Sequence, residues 1–336
     1  MAGEESIIIK LHMKKNKVLG VILAVIGSFA AGSVVRADRS FNIYWENDGT
    51  FLKPNHSTDR HYTDGLKTSF THEPNTKWLR DFGRWNDFGK NDANVNTAIG
   101  YFFGQNMFTP DHADKPEKRT HEDQAFAGWL YGGAFAQRAT QDQMEHFEIS
   151  LGIIGPASLA DRTQRFIHKS LRIEVPKGWE DQLADEFAAD FTWFKRQQIK
   201  GPLLRRTPDF DTQVEYGFTA GTVHRNATLG LIARLGKNLP NDFGPGRLEA
   251  PACAAGVIPK QRTYFYIFGR AGAKFVQFDR LLTGLDERTV VGQFQAGVVW
   301  RRNSFQISYS QTFLTREYRE QPEADAYGAL NLTWYF

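Results

Sequence analysis

One histidine in the sequence lies where it could act as a general base. His168 and Gln164 are four residues apart in segment 158–171, which is predicted to be a helix, so both side chains lie on one face. Ser158, with Asp161 three residues later, resembles a capping box at the start of that helix. Imidazole titrates near neutral pH and can take a proton from water. His168 is therefore a candidate base for a hydrolytic reaction.

Residues with oxygen ligands occur in three other places. Asn47 and Asp48 are adjacent, Thr63 lies in a second polar stretch, and Glu174 follows the predicted helix. Such ligands suit Ca²⁺ rather than Zn²⁺. A divalent cation can stabilise the oxygen that becomes negative when an ester carbonyl is attacked. Histidine, Ca²⁺ and water together would make an ester hydrolase without a serine nucleophile.

These residues also have a structural interpretation. A lone histidine on a helix is more often structural than catalytic. The stretches Asn47-Asp48-Gly49 and Thr63-Asp64-Gly65 are both typical of turns. From the pattern alone, the catalytic site is one hypothesis beside a structural one.

The elements that must position these residues are predicted to be strands. Segments of about ten residues alternate with period two; in 291–302, Phe294 and Trp300 share one face, and Gln293 and Gln295 share the other. The predicted strands are 40–47, 61–71, 97–108, 126–138, 143–154, 188–199, 211–224, 226–236, 262–278, 291–302, 303–314 and 325–336.

An even number of such strands favours a closed barrel. The sequence predicts an all-β protein, a 12-stranded antiparallel transmembrane β-barrel with a short helix in an extracellular loop. An aromatic content of 14% fits the two girdles of such a barrel. A secreted β-sandwich is the alternative, because its strands have the same periodicity.

The composition excludes several classes of protein. The chain of 336 residues has 41 Lys and Arg against 38 Asp and Glu, which argues against binding nucleic acid through phosphate contacts. The mean hydropathy of −0.46 excludes a polytopic helical membrane protein. The single cysteine, Cys253, excludes an intramolecular disulfide and a zinc site built from cysteines, and no role is assigned to it.

The first residues have the features of a secretory signal peptide. A basic stretch at 13–17 precedes an apolar run at 18–31, and Val35-Arg36-Ala37 resembles a cleavage site. We therefore expect two regions, an N-terminal extension with signal peptide at 1–37 and the barrel domain at 38–336.

Barrel topology predicts where the polar residues meet. If both termini lie in the periplasm, Asn47-Asp48, Thr63 and the helix at 158–171 all lie at the outer rim. They would then form one site facing the extracellular leaflet. Segment 237–261 fits this topology badly, because periplasmic connections are normally short turns.

Several motifs, in order, resemble those of the outer-membrane lipid A 3′-O-deacylase (LpxR) family. The matching stretches are Trp45-Glu46-Asn47-Asp48, 58–65, 104–110, 125–131, 152–168 and 176–182. Weaker similarity continues through the C-terminal strands.

The resemblance implies a barrel in the Gram-negative outer membrane that uses Ca²⁺ to hydrolyse the ester at the 3′ position of lipid A and release an acyloxyacyl chain. It implies that His168 activates water and that Gln164 and Glu174 are supporting catalytic residues. The implied polar residues around the metal and the reacting carbonyl are Asn47, Asp48 and Thr63. Asp48 is the first choice as a direct ligand.

The chain departs from the family pattern at two positions. Asp64 stands where many members have Asn, and Gln124 stands where Arg is common. The predicted external loop after the third strand has three cations that are candidates to bind substrate phosphates, or else form a solvated basic loop. They are Lys115, Lys118 and Arg119.

Two other functions remain open. One is an outer-membrane phospholipase A-type hydrolase, whose site chemistry would be almost the same. The other is a porin or structural barrel without enzymatic activity. The expected partners are lipid A or lipopolysaccharide and the outer-membrane assembly machinery, with the protein itself a monomer.

Overall fold

A computed structural model describes residues 37–49, 60–73, 76–90, 94–113, 122–172, 174–200, 207–244 and 257–336. These residues form a closed barrel of twelve antiparallel strands, in which each strand pairs with its neighbours in sequence and β1 pairs with β12. The predicted signal peptide, except for Ala37, and Cys253 lie outside the described residues.

The barrel strands follow one another along the chain. They are β1 (Arg39–Asn47), β2 (His61–His72), β3 (Asn96–Thr109), β4 (Ala127–Ala139), β5 (Gln143–Ile154), β6 (Glu186–Gln198), β7 (Phe210–Gly221), β8 (His224–Lys237), β9 (Thr263–Asp279), β10 (Val290–Arg302), β11 (Phe305–Leu314) and β12 (Asp325–Tyr335). All twelve predicted strands are confirmed, and no boundary differs by more than three residues.

The wall has its polar face inside and its apolar face outside. On β5, Glu148 and Ser150 point inward and are buried, whereas on β3 the outward Phe103 is 58% exposed. Outward apolar residues at mid-strand, such as Ile149 and Leu151, are likewise exposed. A sandwich would bury these apolar faces in its core, so the sandwich alternative is wrong.

Charged side chains fill the lumen. Glu215 accepts hydrogen bonds from Arg196 Nε at 2.7 Å and from Arg270 Nη2 at 2.6 Å, which ties β6, β7 and β9 together. Glu148 contacts His146 at 3.1 Å and Lys67 at 3.4 Å. In both groups each buried carboxylate has a cationic or histidine side chain beside it, which offsets part of the cost of desolvating the charges.

The described parts of the long connection between β8 and β9, 238–244 and 257–262, fold back into the barrel. They do so at the end of the barrel that contains Arg39, at the start of β1, and Tyr335, at the end of β12. We call this the terminal end. Phe243 and Val257 join an apolar cluster with inward residues of the wall, including Phe194. Arg196 donates to the Phe243 carbonyl at 2.8 Å, and Gln137 accepts from the Val257 amide at 2.7 Å. The described residues of the segment that fitted a short-turn topology badly, 237–244 and 257–261, therefore contact the inside of the wall, and we call these two stretches the plug.

Two short helices lie against the outside of the wall. α1 (Lys77–Arg84) is near the terminal end, where Phe82 packs on the outward Phe147 with ring centroids 5.6 Å apart. α2 (Ala160–Leu171) lies at the opposite end, hereafter the distal end. The sequence did not predict α1. Among the described residues, no helix is long and apolar enough to cross a membrane.

The start of α2 differs from the prediction. Its N-cap is Leu159, in the left-handed region with φ of 62°, and the side chain of this N-cap residue accepts no hydrogen bond. Ser158 instead donates from Oγ to the Gly155 carbonyl at 2.6 Å. The capping-box prediction is therefore wrong, although the predicted helix exists.

Gly128 allows α2 to approach the wall. A Cβ at this position would lie far inside van der Waals contact with Ser158 Oγ and Ala160 Cβ. We expect Gly128→Ala to displace α2 at a cost of about 1–3 kcal/mol. Trypsin should then cleave at the Arg and Lys residues of α2 faster than in the parent protein.

The matched control for this test is Gly269→Ala, because a Cβ at Gly269 meets nothing within 4 Å. Equal cleavage rates in the two variants would show that Gly128 does not set the position of α2.

The plug and the filled lumen should prevent ion flow. In planar bilayers we expect no steady conductance from the parent protein. Replacing 239–260 with a short Gly-Asn turn should open a conducting path. As a control, Phe265→Ala changes a half-exposed residue on the outside of the wall and should leave conductance unchanged. Porin-like conductance from the parent protein would contradict the plug.

Candidate active site

The alternation of side chains along β1 places that of its last residue, Asn47, on the outer face of the wall. Glu46 points inward, where its carboxylate accepts a hydrogen bond from the Tyr62 hydroxyl, so Asn47 points outward. Asn47 lies opposite Asp64 on β2, and Asp64 lies opposite Met107 on β3. These three outward residues form a row across the wall at its distal end.

The side chain of Asn47 is held in one orientation. Its Nδ2 donates to the Thr63 carbonyl at 3.1 Å and to Asp64 Oδ2 at 3.2 Å. Its Oδ1 accepts from the Gly49 amide at 2.7 Å. Trp45 Nε1 also donates to Asp64 Oδ2, at 2.9 Å. Asp64, which stands where the family often has Asn, thus fixes which way the Asn47 amide faces.

Asp48 is buried immediately after β1. Its Oδ2 accepts from the Arg60 amide at 2.9 Å, and its own amide donates to the Thr63 carbonyl at 3.2 Å. The carboxylate is therefore placed by backbone groups of the segment that enters β2.

Thr63 occupies a β-bulge. The register between β2 and β3 shifts between Tyr62 and Asp64, so Thr63 is an extra residue in its strand. Its Oγ1 lies 2.7 Å from Thr109 Oγ1. Bulges of this kind redirect a side chain next to a site. The structure therefore brings Asn47, Asp48 and Thr63 together, as the sequence predicted.

The buried face of α2 presents Gln164 and His168. Gln164 Oε1 accepts from Trp179 Nε1 at 2.7 Å. His168 Nδ1 donates to the Glu174 carbonyl oxygen, which makes Nε2 the basic nitrogen of the ring. Glu174 thus acts through its main chain, while the residue itself is exposed.

An apolar cluster connects the two groups. Met107 packs with Ala160, Phe126 and Trp179, and Ile167 of α2 packs against them. Met107 belongs to the row that contains Asn47 and Asp64, whereas Trp179 holds Gln164. The rim residues and the face of α2 therefore flank the same stretch of β3, outside the barrel.

A second polar cluster at the distal end was missed by sequence reasoning. His61 contacts Asp325 at 2.7 Å through Nδ1 and Asp123 at 3.1 Å through Nε2. Tyr318 also contacts His61, at 2.7 Å, and Arg60 donates to Asp325 at 3.0 Å. The cluster connects the start of β2 with β12 and two loops, so it fixes the backbone that binds Asp48. Arg60 and His61 lie in a matching motif, but their partners are too distant in sequence to be inferred.

The remaining predicted residues have separate positions. Lys115, Lys118 and Arg119 lie outside the described residues. Gln124 is buried, and its Nε2 donates to the Leu281 carbonyl at 3.3 Å. It lines a lumen cavity of about 40 Å³, with space for a few water molecules rather than for a lipid.

The chemistry of the rim residues suits a hard cation. Within the described ranges, no group of three or more His, Cys, Asp or Glu side chains is placed to hold a metal ion. The rim offers the carboxylates of Asp48 and Asp64 with amide, hydroxyl and carbonyl oxygens, which is a donor set compatible with Ca²⁺ and unlike a zinc site.

Comparison with known proteins identifies the family. The family model described as outer membrane protein LpxR matches residues 18–336. The chain belongs to the LpxR family. This confirms the assignment made from the motifs and places the barrel in the outer membrane.

One solved structure has the same fold. LpxR from Salmonella typhimurium superimposes with a TM-score of 0.73 at 16% identity, covering 88% of this chain and 100% of that chain. The β-domain of the Bordetella autotransporter BrkA has a TM-score of 0.42 at 9% identity and covers 89% of this chain and 98% of that chain. Comparison with curated protein sequences finds no match.

Asp123 gives the distal cluster a pH dependence. Burial opposes its ionisation, but hydrogen bonds from His61 and Tyr318 outweigh burial and hold the pKa of Asp123 below its usual range. The ionised carboxylate therefore stabilises the folded cluster above the ordinary Asp range, and this stabilisation is lost as pH falls through the lowered value.

We expect the amides of Asp111 and Gln124, which both donate to Asp123 at 2.7 Å, to be protected from hydrogen exchange at neutral pH and to lose protection in acid. In Asp123→Asn, protection should be lower at neutral pH and should change less in acid. The exposed Asp142→Asn serves as control. An Asp123→Asn profile that matches the parent protein would contradict this account.

Proposed function

We propose that this chain is a Ca²⁺-dependent carboxylic ester hydrolase that removes the 3′-linked acyloxyacyl chain of lipid A in the outer leaflet. The main supporting observation is the position of the candidate site. Asn47, Gln164 and His168 lie outside the barrel, between β1–β3 and the buried face of α2, and not in the lumen.

Access from the membrane follows from this position. Below the site, the outward face of the wall is apolar, with Trp45 and Leu66 opposite each other and half-exposed. A lipid ester can reach the rim laterally with its acyl chains still in the bilayer. The distal end is then the extracellular end, and the plug lies on the periplasmic side.

His168 is the proposed general base. Its Nε2 would take the proton of a water molecule that attacks the ester carbonyl. The Glu174 carbonyl, which accepts from Nδ1, fixes the tautomer and stabilises the imidazolium that forms. Trp179 and Gln164 hold the buried face of α2 in register with the wall.

Asp48, with Asn47 and Thr63, is proposed to hold Ca²⁺. When bound, Ca²⁺ would supply positive charge that stabilises the developing negative charge on the ester carbonyl. Asp64 orients Asn47, and the Arg60 amide orients Asp48. The proposed mechanism resembles that of secreted phospholipases A2, in which histidine and Ca²⁺ divide the same tasks. It needs no serine nucleophile.

The alternatives are less well supported. A filled and plugged lumen is unlike that of a porin. A phospholipase A-type hydrolase would use the same chemistry, but family membership favours lipid A. Lys115, Lys118 and Arg119 remain candidates for contact with lipid A phosphates. We also propose a monomer, inserted by the outer-membrane assembly machinery.

Mass spectrometry of lipid A tests the proposal. Cells expressing the chain should lose one 3′-linked acyloxyacyl group, whereas His168→Ala should reduce the rate by about 10²–10⁴-fold. His72→Ala, at the opposite end of β2, is the matched control and should retain activity. With purified protein, chelation of Ca²⁺ should abolish hydrolysis, and Asp48→Asn should raise the Ca²⁺ concentration required.

Intact lipid A after incubation with folded, detergent-solubilised protein and Ca²⁺ would overturn the deacylase. Release of fatty acid from phospholipids under the same conditions would identify the phospholipase instead. Full activity of His168→Ala would exclude this residue as the base.

A further inference from the structure

The two faces of α2 differ in an unusual way. The face towards the wall buries the polar Gln164 and His168 together with Ala160. The opposite face has Arg162, Phe166 and Lys169, which are spaced by four and three residues and are all exposed. Phe166 is 71% exposed. We call these three residues the outer face of α2.

This composition is typical of a helix at a membrane surface. A large aromatic residue between cations suits the boundary between anionic headgroups and acyl chains. In the part of the chain that the structure describes, Arg162 and Lys169 form no ion pair, whereas the neighbouring Arg165 contacts Asp161 at 3.3 Å. Two cations are thus available to an external anion.

The packing of α2 gives the outer face its direction. The helix rests on Met107 and Gly128, both outward residues of the wall, so its other side points away from the barrel. Just before α2, the Ala157 amide donates to Asp185 at 2.7 Å. Two residues further, Phe187 at the distal end of β6 is 68% exposed on the outside of the wall. The apolar surface that meets lipid therefore extends to the level of the helix.

We propose that the outer face of α2 docks the phosphate-bearing headgroup of lipid A, with Arg162 and Lys169 binding phosphate and Phe166 inserted at the top of the acyl chains. This inference rests on the proposed function and adds a substrate-docking surface to it. His168 lies across the same helix, which is about 10 Å wide. Docking on one face would therefore hold the lipid beside the site on the other.

Steady-state kinetics separate docking from chemistry. We expect Arg162→Gln with Lys169→Gln to raise KM for phosphorylated lipid A roughly 30-fold, because each cation near an anionic surface is worth about 1 kcal/mol. The kcat should stay within about twofold. With lipid A from which the phosphates have been removed, the variant and the parent protein should have the same KM. Phe166→Ala should raise KM for both substrates.

α1 supplies a matched control with the same chemistry at the other end of the barrel. Lys77, Trp78 and Arg80 are exposed there, and Trp78 is 56% exposed. Lys77→Gln with Arg80→Gln should leave KM unchanged, because α1 lies at the end of the barrel away from the candidate site.

A binding measurement is independent of hydrolysis. In a His168→Ala background, the lipid A that co-purifies from outer membranes is quantified by mass spectrometry per protein. The α2 substitutions should reduce it several-fold, and the α1 substitutions should not.

The outcomes distinguish the two proposals. If the parent protein hydrolyses lipid A and the α2 variant has unchanged KM and co-purifying lipid A, the docking surface is wrong and the deacylase stands. An equal rise in KM for phosphorylated and dephosphorylated substrate after removal of the two cations would also overturn phosphate binding. If the parent protein hydrolyses no lipid A, the proposed function fails. Loss of co-purifying lipid A in the α2 variant would then still support the docking surface.

Discussion

The close approach of α2 to Gly128 is the contact on which the candidate site depends. A helix on the outside of a barrel has no core to enter, so it needs a depression in the wall. Gly128 provides that depression, and Met107 beside it supplies an apolar contact for Ala160. This contact places His168 against the wall at β3 and β4. The polar residues of the wall lie on β1 and β2, and β2 is the strand next to β3. The site is thus assembled between two surfaces, one of them a membrane-spanning sheet and the other a short helix.

The strands were predictable because their signal is local. Each wall residue meets either lipid or the lumen, so period two persists through every strand, and the burial of Gln293, Gln306 and Tyr335 follows from it. The helix around His168 was also predictable. Its cap was not, because Ser158 donates to the Gly155 carbonyl and lies one residue before the observed N-cap, Leu159. Asn47, Asp48 and Thr63 were selected for their oxygen ligands and their place in the barrel topology, and the family motifs then assigned them roles.

Features that depend on distant contacts were missed. The plug depends on Arg196 and Gln137, which lie on strands far from it in sequence. The position of Asp48 depends on Arg60, which in turn contacts Asp325. Nothing local marks these contacts, since an arginine in a polar stretch predicts a solvated side chain. The bulge at Thr63 could not be predicted from the sequence either, because it is defined only by the pairing of β2 with β3.

The seam between β1 and β12 has a consequence for the timing of activity. His61 and Arg60 reach Asp325 across this seam, between segments 264 and 265 residues apart in the chain. β1 and β12 can pair only after the whole chain has reached the assembling barrel. The contacts with Asp325 that fix the segment binding Asp48 therefore form only when the barrel closes. An incompletely assembled chain in the periplasm therefore lacks a finished candidate site, and the proposed hydrolysis would begin only in a barrel that has already closed in the membrane.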